Sequence, residues 1–309
     1  MKRYYFEGRL LNREENRFAM RSRENLFEAK DNGQIIEAPV ILCDKEHNLH
    51  VNLGCMKGII PREEGAIGIS EGSVRDIALI SKVGKPVQFL IEGFKLNNYG
   101  DLYAVLSRKK VQQKCLAEYA DLLNPGDIIE AKVTHLERFG AFVDIGAGVN
   151  SLIPIDMLSI SRISHPRERV CEGQELRLLV RNKREGKITL SLRELLGTWQ
   201  ENAACFTVGE TVKGIVRSIE SYGIFIELAP NLAGLAEYTP EVRSGQAVSV
   251  YIKAIMPDKM KVKLSIIGAF DEEIKEDKLK YFADESKSHI DYWRYSPEGA
   301  SKIIETIIE

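Results

Sequence analysis

The chain has 309 residues, 44% hydrophobic and 28% charged, enough apolar side chain for two or three packed cores and too balanced for a disordered polymer. No apolar run reaches membrane-spanning length, and the opening MKRYYFEGRLLNREEN lacks a signal-peptide core, so no membrane partner is expected and the expected location is cytoplasmic. The formal net charge is −2, but six basic against eleven acidic residues in 269–309 leave that tail at −5 and the preceding body at +3, which argues against tight non-specific adhesion to nucleic acid and for weak, salt-sensitive binding.

In chain order, residues 1–34 read as an N-terminal extension, with a short helix over 23–30 stopped by Asn32-Gly33. Residues 35–107 read as a first small β unit, beginning IIEAPVILCDKEHNLHVNLGCMKGIIP and closing near Tyr103-Ala104-Val105-Leu106-Ser107. Residues 108–124 (RKKVQQKCLAEYADLL and the Asn124 that follows) have helix formers, apolar residues at three- and four-residue spacing and no internal Pro, and stop before Pro125-Gly126. Residues 125–191 form a second β unit, 192–207 (LRELLGTWQENAACF and Thr207) a second helical linker, and 208–268 a third β unit. Residues 269–309 are the acidic tail, with a charged helical stretch and then His289-Ile290-Asp291-Tyr292-Trp293-Arg294-Tyr295, whose rings are expected to dock on a neighbouring core.

The β units are an internal repeat. PGDIIEAKVTHLERFGAFVDIGAGVNSLIP (125–154) aligns without a gap on VGETVKGIVRSIESYGIFIELAPNLAGLAE (208–237). Each has a Gly turn, an alternating strand, aromatic-Gly-x-Phe, a second strand, a loop and a third short strand. A later strand pair closes each, with Lys187-Ile188-Thr189-Leu190-Ser191 matching Lys261-Val262-Lys263-Leu264-Ser265. The copy at 35–61 is weaker. His47, Asn48 and His50 stand where Phe139, Gly140 and Phe142 stand in the second. Short alternating Val- and Ile-rich strands, five in about 70 residues, suit a small OB-type barrel. The fold class expected is mainly β: three tandem five-stranded OB-fold barrels joined by short helices, with a partly helical acidic C-terminal tail.

Residues i and i+3 on a straight strand point to opposite faces. Gly140 and Gly223 permit a bend that brings Phe139 beside Phe142 and Tyr222 beside Phe225. An aromatic in a barrel strand serves either as core or as platform. The ring at the bend in two copies favours the platform for Phe139 and Tyr222, and leaves Phe142 and Phe225 open between the two. Exposed rings beside cations suit single-stranded RNA, because every base has a π-face and phosphates need positive charge. The candidate cations are Arg138, Arg162, Arg167, Arg169, Lys183 and Lys187 in the second copy, and Arg217, Lys259, Lys261 and Lys263 in the third.

GDIIEAKVTHLERFGAFVDIGAGVNSLIPID followed by GQELRLLVRNKREGKITLSLREL resembles the S1 RNA-binding domain, the OB-fold repeat of bacterial ribosomal protein S1. The stretch 209–266 resembles it too, and 35–106 looks like a degenerate copy. The resemblance implies a ligand face of two aromatics, a His on the third strand, and an acidic and a basic residue near the last strand. Phe139, Phe142 and Lys187 match in the second copy, whereas Pro154 takes the His position and Lys183 the acidic one. Tyr222, Phe225 and Lys261 match in the third, with Glu237 replacing His. The first copy has lost both aromatics and reads as a packing module, although His47 and His50 retain stacking rings.

The RNA-binding residues expected are therefore Phe139, Phe142, Arg162, Lys187, Tyr222, Phe225 and Lys261. The partner expected is single-stranded mRNA or rRNA, with the ribosome as a further one. No catalytic residue, metal or cofactor is expected. Five scattered cysteines without a C-x-x-C give neither a disulfide framework nor a zinc site, and His47 and His50 lack the further ligands a metal needs. P-loop and H-E-x-x-H signatures are missing. The alternative is a protein-interaction scaffold or regulator whose barrels have partly lost RNA binding, which the near-neutral charge and the substituted His positions favour.

Overall fold

The computed structural model describes residues 3–270 and 279–308. It contains three closed five-stranded barrels and a small two-stranded sheet, so the mainly-β, triple-barrel expectation holds. By internal packing the chain divides into two units, one of Met1–Leu123 with Asp144–Asn150, the other of Asn124–Val143 with Ser151–Glu309.

The first unit opens with two short helices, α1 (Glu14–Ala19) and α2 (Arg23–Asp31). The Ser22 side chain accepts a hydrogen bond from Asn25 N and so caps α2, which ends where Gly33 turns left-handed at φ 60°. The barrel comprises β1 (Ile36–Cys43), β2 (Leu49–Asn52), β3 (Lys57–Ile60), a one-turn helix α3 (Ile77–Ile80), β4 (Pro86–Leu96) and β5 (Leu102–Ser107). The strands close in the order β1-β2-β3-β5-β4, with β3 and β5 parallel, the OB arrangement. Ile36, Ala38 and Val40 alternate inward along β1, and Leu26 and Ala29 of α2 join the same core.

Between those inward residues, Glu37 is buried on the other side of the strand. Its carboxylate accepts hydrogen bonds from the backbone N–H of Gly8, Leu10 and Leu11 at 2.6–2.8 Å. The N-terminal extension is thereby stitched to the barrel through its own backbone donors. Glu7 is buried with Arg108 Nε at 2.6 Å and Lys82 Nζ at 2.7 Å. Burial alone would raise its pKa, but the two cations outweigh it and hold it down at about 2.

Helix α4 (Arg108–Glu118) starts directly from β5, capped by Ser107 accepting from Lys110 N. A 3-10 turn at Ala120–Leu122 follows.

In the second unit, β6 (Ile128–Glu137), β7 (Gly140–Asp144), β8 (Asn150–Pro154), β9 (Glu175–Arg184) and β10 (Lys187–Ser191) form one barrel. Helix α5 (Trp199–Ala203) leads to the other, made of β11 (Thr211–Glu220), β12 (Gly223–Ala229), β13 (Leu232–Ala236), β14 (Ala247–Met256) and β15 (Lys261–Phe270). Val216, Ile224, Ile226, Val248, Val250, Ile252 and Leu264 fill the last barrel. Each such side chain contributes roughly 1.5–3 kcal/mol by leaving water.

Two connections differ from the sequence expectation. Residues 192–207 are not one helix: a 3-10 turn at Arg193–Leu196 is followed by Gly197 at φ 84°, and Thr198 then caps the short α5. The break turns Leu195, Leu196 and Trp199 into the core instead of leaving a linker in solvent. In the tail, residues 279–308 carry no helix, and the part of the expected helical stretch at 271–278 lies outside the described residues. Beyond His289, strands β16 (Tyr292–Arg294) and β17 (Glu305–Ile307) pair.

Trp293 and Tyr295 dock on the third barrel's core, as the aromatic run suggested. Tyr295 OH donates to Asn231 O at 2.6 Å. No helix among the described residues is long and apolar enough to cross a membrane.

Candidate nucleic-acid interface

The turn before β7 places Phe139 against Phe142 with ring centroids 5.9 Å apart and planes at 89°. Tyr222 and Phe225 repeat this before β12, at 6.1 Å and 87°. Phe139 and Tyr222 are 57% and 68% exposed, so neither is core. Phe225 lies between the fully buried Ile224 and Ile226, and Phe142 between the fully buried Ala141 and Val143. Strand alternation therefore turns both outward, half-covered by the ring at the turn. Edge-to-face packing pre-sets each pair and leaves a face of the outer ring open to stack.

The reason for Gly at the turn is not the backbone freedom expected from sequence alone in the case of Gly140. A Cβ there would stand 2.3 Å from the carbonyl oxygen of Ile153. At Gly223, where φ is 150°, it would stand 2.6 Å from the carbonyl oxygen of Ala236. Close approach of the neighbouring strand is what demands glycine at both, with positive φ as an added demand at Gly223.

The third barrel shows the whole face. Phe225 pairs with Leu235 across β12–β13, and Leu235 with Lys263 across β13–β15, which sets ring, aliphatic floor and ammonium group in one row. A groove of about 540 Å³ runs over this row, lined by Tyr222, Phe225, Leu235, Lys253, Lys261 and Lys263. Glu237 also lines it, with Lys253 Nζ 3.2 Å from its Oε1.

In the second barrel, Leu152 of β8 stands where Leu235 stands and pairs with Thr189, the counterpart of Lys263. Lys187 is exposed at the start of β10, and Lys183 pairs with Ile188. Thr189 leaves this row without the ammonium group that Lys263 brings to the third barrel's. Arg162 is exposed on the β8–β9 connection, and no contact in the structure joins it to the ring pair.

Two of the candidate cations serve another purpose. Arg169 is buried, its Nη1 and Nη2 each 2.8 Å from an oxygen of Glu227. Arg217 reaches the same carboxylate through Nε at 2.8 Å and Glu168 through Nη1 at 2.5 Å. Both guanidinium groups are consumed by carboxylates and are withdrawn from any phosphate-binding role. Burial pushes the Glu227 pKa up, but the two arginines outweigh it and lower it.

Asp144 stands at the same place in the second copy and is also structural. It accepts from Glu7 N, Gly146 N and Gly148 N at 2.7, 2.8 and 3.0 Å. The sequence singled out neither acid, although both follow the first ring of their repeat by five residues. Leu152, Leu235 and Lys253 were likewise missed. Leu152 and Leu235 are a matched pair in the two repeats, and that was their signal.

In the first barrel the histidines at the ring positions contact carboxylates. His50 Nε2 lies 2.9 Å from Asp44 Oδ2, His47 Nε2 3.7 Å from Asp76 Oδ2, and Arg62 Nε 2.7 Å from Asp76 Oδ1. Asp76 comes from the segment between β3 and β4. Among the described residues no group of three or more His, Cys, Asp and Glu side chains is arranged to hold a metal ion.

The family model for the S1 RNA binding domain matches residues 122–193. The small ribosomal subunit protein bS1 of Staphylococcus epidermidis is 31% identical over 82% of this chain and 66% of its own length. That of Staphylococcus aureus strain COL is 32% identical over 78% and 63%. The chain thus spans slightly under two thirds of the curated relatives it matches. Among solved structures, a multidomain protein with nucleic acid binding domains from Streptococcus pneumoniae is 15% identical, covering 79% of this chain and 76% of that one at a TM-score of 0.25. GSP13 from Bacillus subtilis is 29% identical, covering 23% and 56% at 0.22. Residues 122–193 are thus similar to the S1 RNA binding domain, and over most of its length the chain is similar to the bacterial ribosomal protein bS1.

Proposed function

We propose that this protein is a non-catalytic, cytoplasmic binder of single-stranded RNA, mRNA or rRNA, acting in association with the ribosome or translation. The observation that carries the reading is the pair of edge-to-face ring sets, Phe139–Phe142 and Tyr222–Phe225, at the same place in two barrels. The second and third barrels do the binding. Phe139, Phe142, Tyr222 and Phe225 stack bases, while Lys187, Lys261 and the exposed Arg162 attract phosphates. The matches to bS1 and to the S1 domain support it.

Fluorescence titration of an unstructured RNA at two salt concentrations tests the proposal. Binding that weakens steeply with salt is expected, and no binding at low salt counts against it. Incubation of labelled RNA with the protein and magnesium tests the non-catalytic part, with uncleaved RNA as the expected result.

A second reading, a protein-interaction module, applies to the first barrel. Its ring positions hold His47 and His50, both engaged with carboxylates of the same barrel. It serves as a packing domain, and substitution of either histidine leaves RNA affinity unchanged.

A further inference from the structure

Glu237 is the one carboxylate among the described residues that line the third barrel's groove, and nothing in the phosphate-binding account explains it. Three ammonium groups, Lys253, Lys261 and Lys263, line the same groove. Lys253 Nζ stands 3.2 Å from Glu237 Oε1, and the Glu237 side chain is 91% exposed. It follows directly on β13 (Leu232–Ala236), two residues beyond Leu235, so alternation returns it to the outer face that carries Leu235 and Phe225.

We propose that Glu237 makes the third barrel selective for guanine. This rests on the RNA-binding reading above and adds a base preference to it. A base stacked on Tyr222 turns its Watson–Crick edge along the groove wall, where single-stranded bases are read by hydrogen bonding. A carboxylate is an acceptor only, with two oxygens side by side. Guanine alone presents two adjacent donors on that edge, N1–H and the N2 amino group. Cytosine and adenine each set a ring-nitrogen acceptor beside their amino group, and uracil flanks its single N3–H with two carbonyl oxygens. The two-oxygen match therefore favours guanine and repels the others in part. Lys253, Lys261 and Lys263 offset the negative charge, so the carboxylate reads the base without driving off the backbone.

The test is a titration of the whole protein with UUUUUUUUU, UUUUGUUUU and the same nonamer with inosine in place of guanine, which removes the N2 amino group. The expected result is about tenfold tighter binding of the guanine nonamer than of either other, the size of one good two-bond base contact. Glu237→Gln replaces one acceptor by a donor and is expected to abolish that preference while keeping affinity for UUUUUUUUU. Tyr222→Ala is expected to weaken all three nonamers together. Equal binding of the three by the unaltered protein overturns the guanine inference and leaves the RNA-binding reading standing, as does a preference that survives Glu237→Gln. No binding of any nonamer overturns both.

Discussion

Arg169 and Glu227 meet as a two-pronged ion pair, both N–O distances 2.8 Å, and join two successive barrels. The arginine comes from the segment before β9 and the glutamate from β12. Arg217 and Glu168 extend the pair into a four-charge network. Buried charges are costly unless partnered, and here each guanidinium nitrogen of Arg169 and both carboxylate oxygens of Glu227 have a partner. Removing one partner strands the other.

Glu227→Ala is therefore expected to lower the unfolding free energy by about 3–5 kcal/mol, because it leaves two guanidinium groups buried without their carboxylate. Guanidinium denaturation measures it. A loss below about 1 kcal/mol, the range of surface pairs, would show that the network is solvated and not a clamp.

Gly140→Ala forces a methyl group 2.3 Å from the Ile153 carbonyl, which is backbone and cannot swing aside. The expected cost is about 1–3 kcal/mol of overpacking, with the Phe139–Phe142 pair displaced. Gly93→Ala is the control, since nothing lies within 4 Å of its Cβ position. Thermal unfolding of the two variants side by side should separate them, and equal melting temperatures would refute the close-approach explanation.

His289 sits between Asp127, 2.8 Å from Nδ1, and Asp291, 3.0 Å from Nε2. The hydrogen bond to Asp127 chiefly raises its pKa above the ordinary 6.5; burial opposes this, and the hydrogen bond to Asp291 adds to it. A raised histidine pKa stabilises the fold fully below the unfolded value and loses that contribution as pH rises through the folded one. Docking of the tail segment beside Gly126 is thus expected to be tighter at pH 6 than at pH 8. Hydrogen exchange at Ile290 N, which donates to Gly126 O at 2.9 Å, reads this out. His289→Ala should abolish the pH dependence.

In the proposed function Lys261 attracts phosphate and does not read sequence. Lys261→Ala is expected to weaken every RNA about equally and to reduce the slope of log affinity against log salt by about one ion's worth. A change confined to one RNA sequence would mean that Lys261 contacts a base.

The repeat made the barrels legible. Alternating apolar residues and Gly turns recur at matched offsets, and five-stranded closure follows from that pattern with little help from elsewhere. Ring convergence was legible for the same reason, since aromatic-Gly-x-Phe occurs twice. What escaped were features made by distant parts of the chain. Arg169 and Arg217 look like solvated cations in sequence, and only the fold brings Glu227 to them. The 192–207 connection carries helix formers, but Gly197 and the Thr198 cap divide it, and the burial of Leu195 and Trp199 decides its shape.

The central claim is that the two ring pairs hold RNA. Phe139→Ala and Tyr222→Ala combined remove two exposed stacking platforms, each worth about 1–3 kcal/mol per base, and leave the cores untouched. Fluorescence titration with an unstructured RNA should show at least about a tenfold loss of affinity, with an unchanged circular dichroism spectrum. Undiminished affinity in the folded double variant would contradict the account.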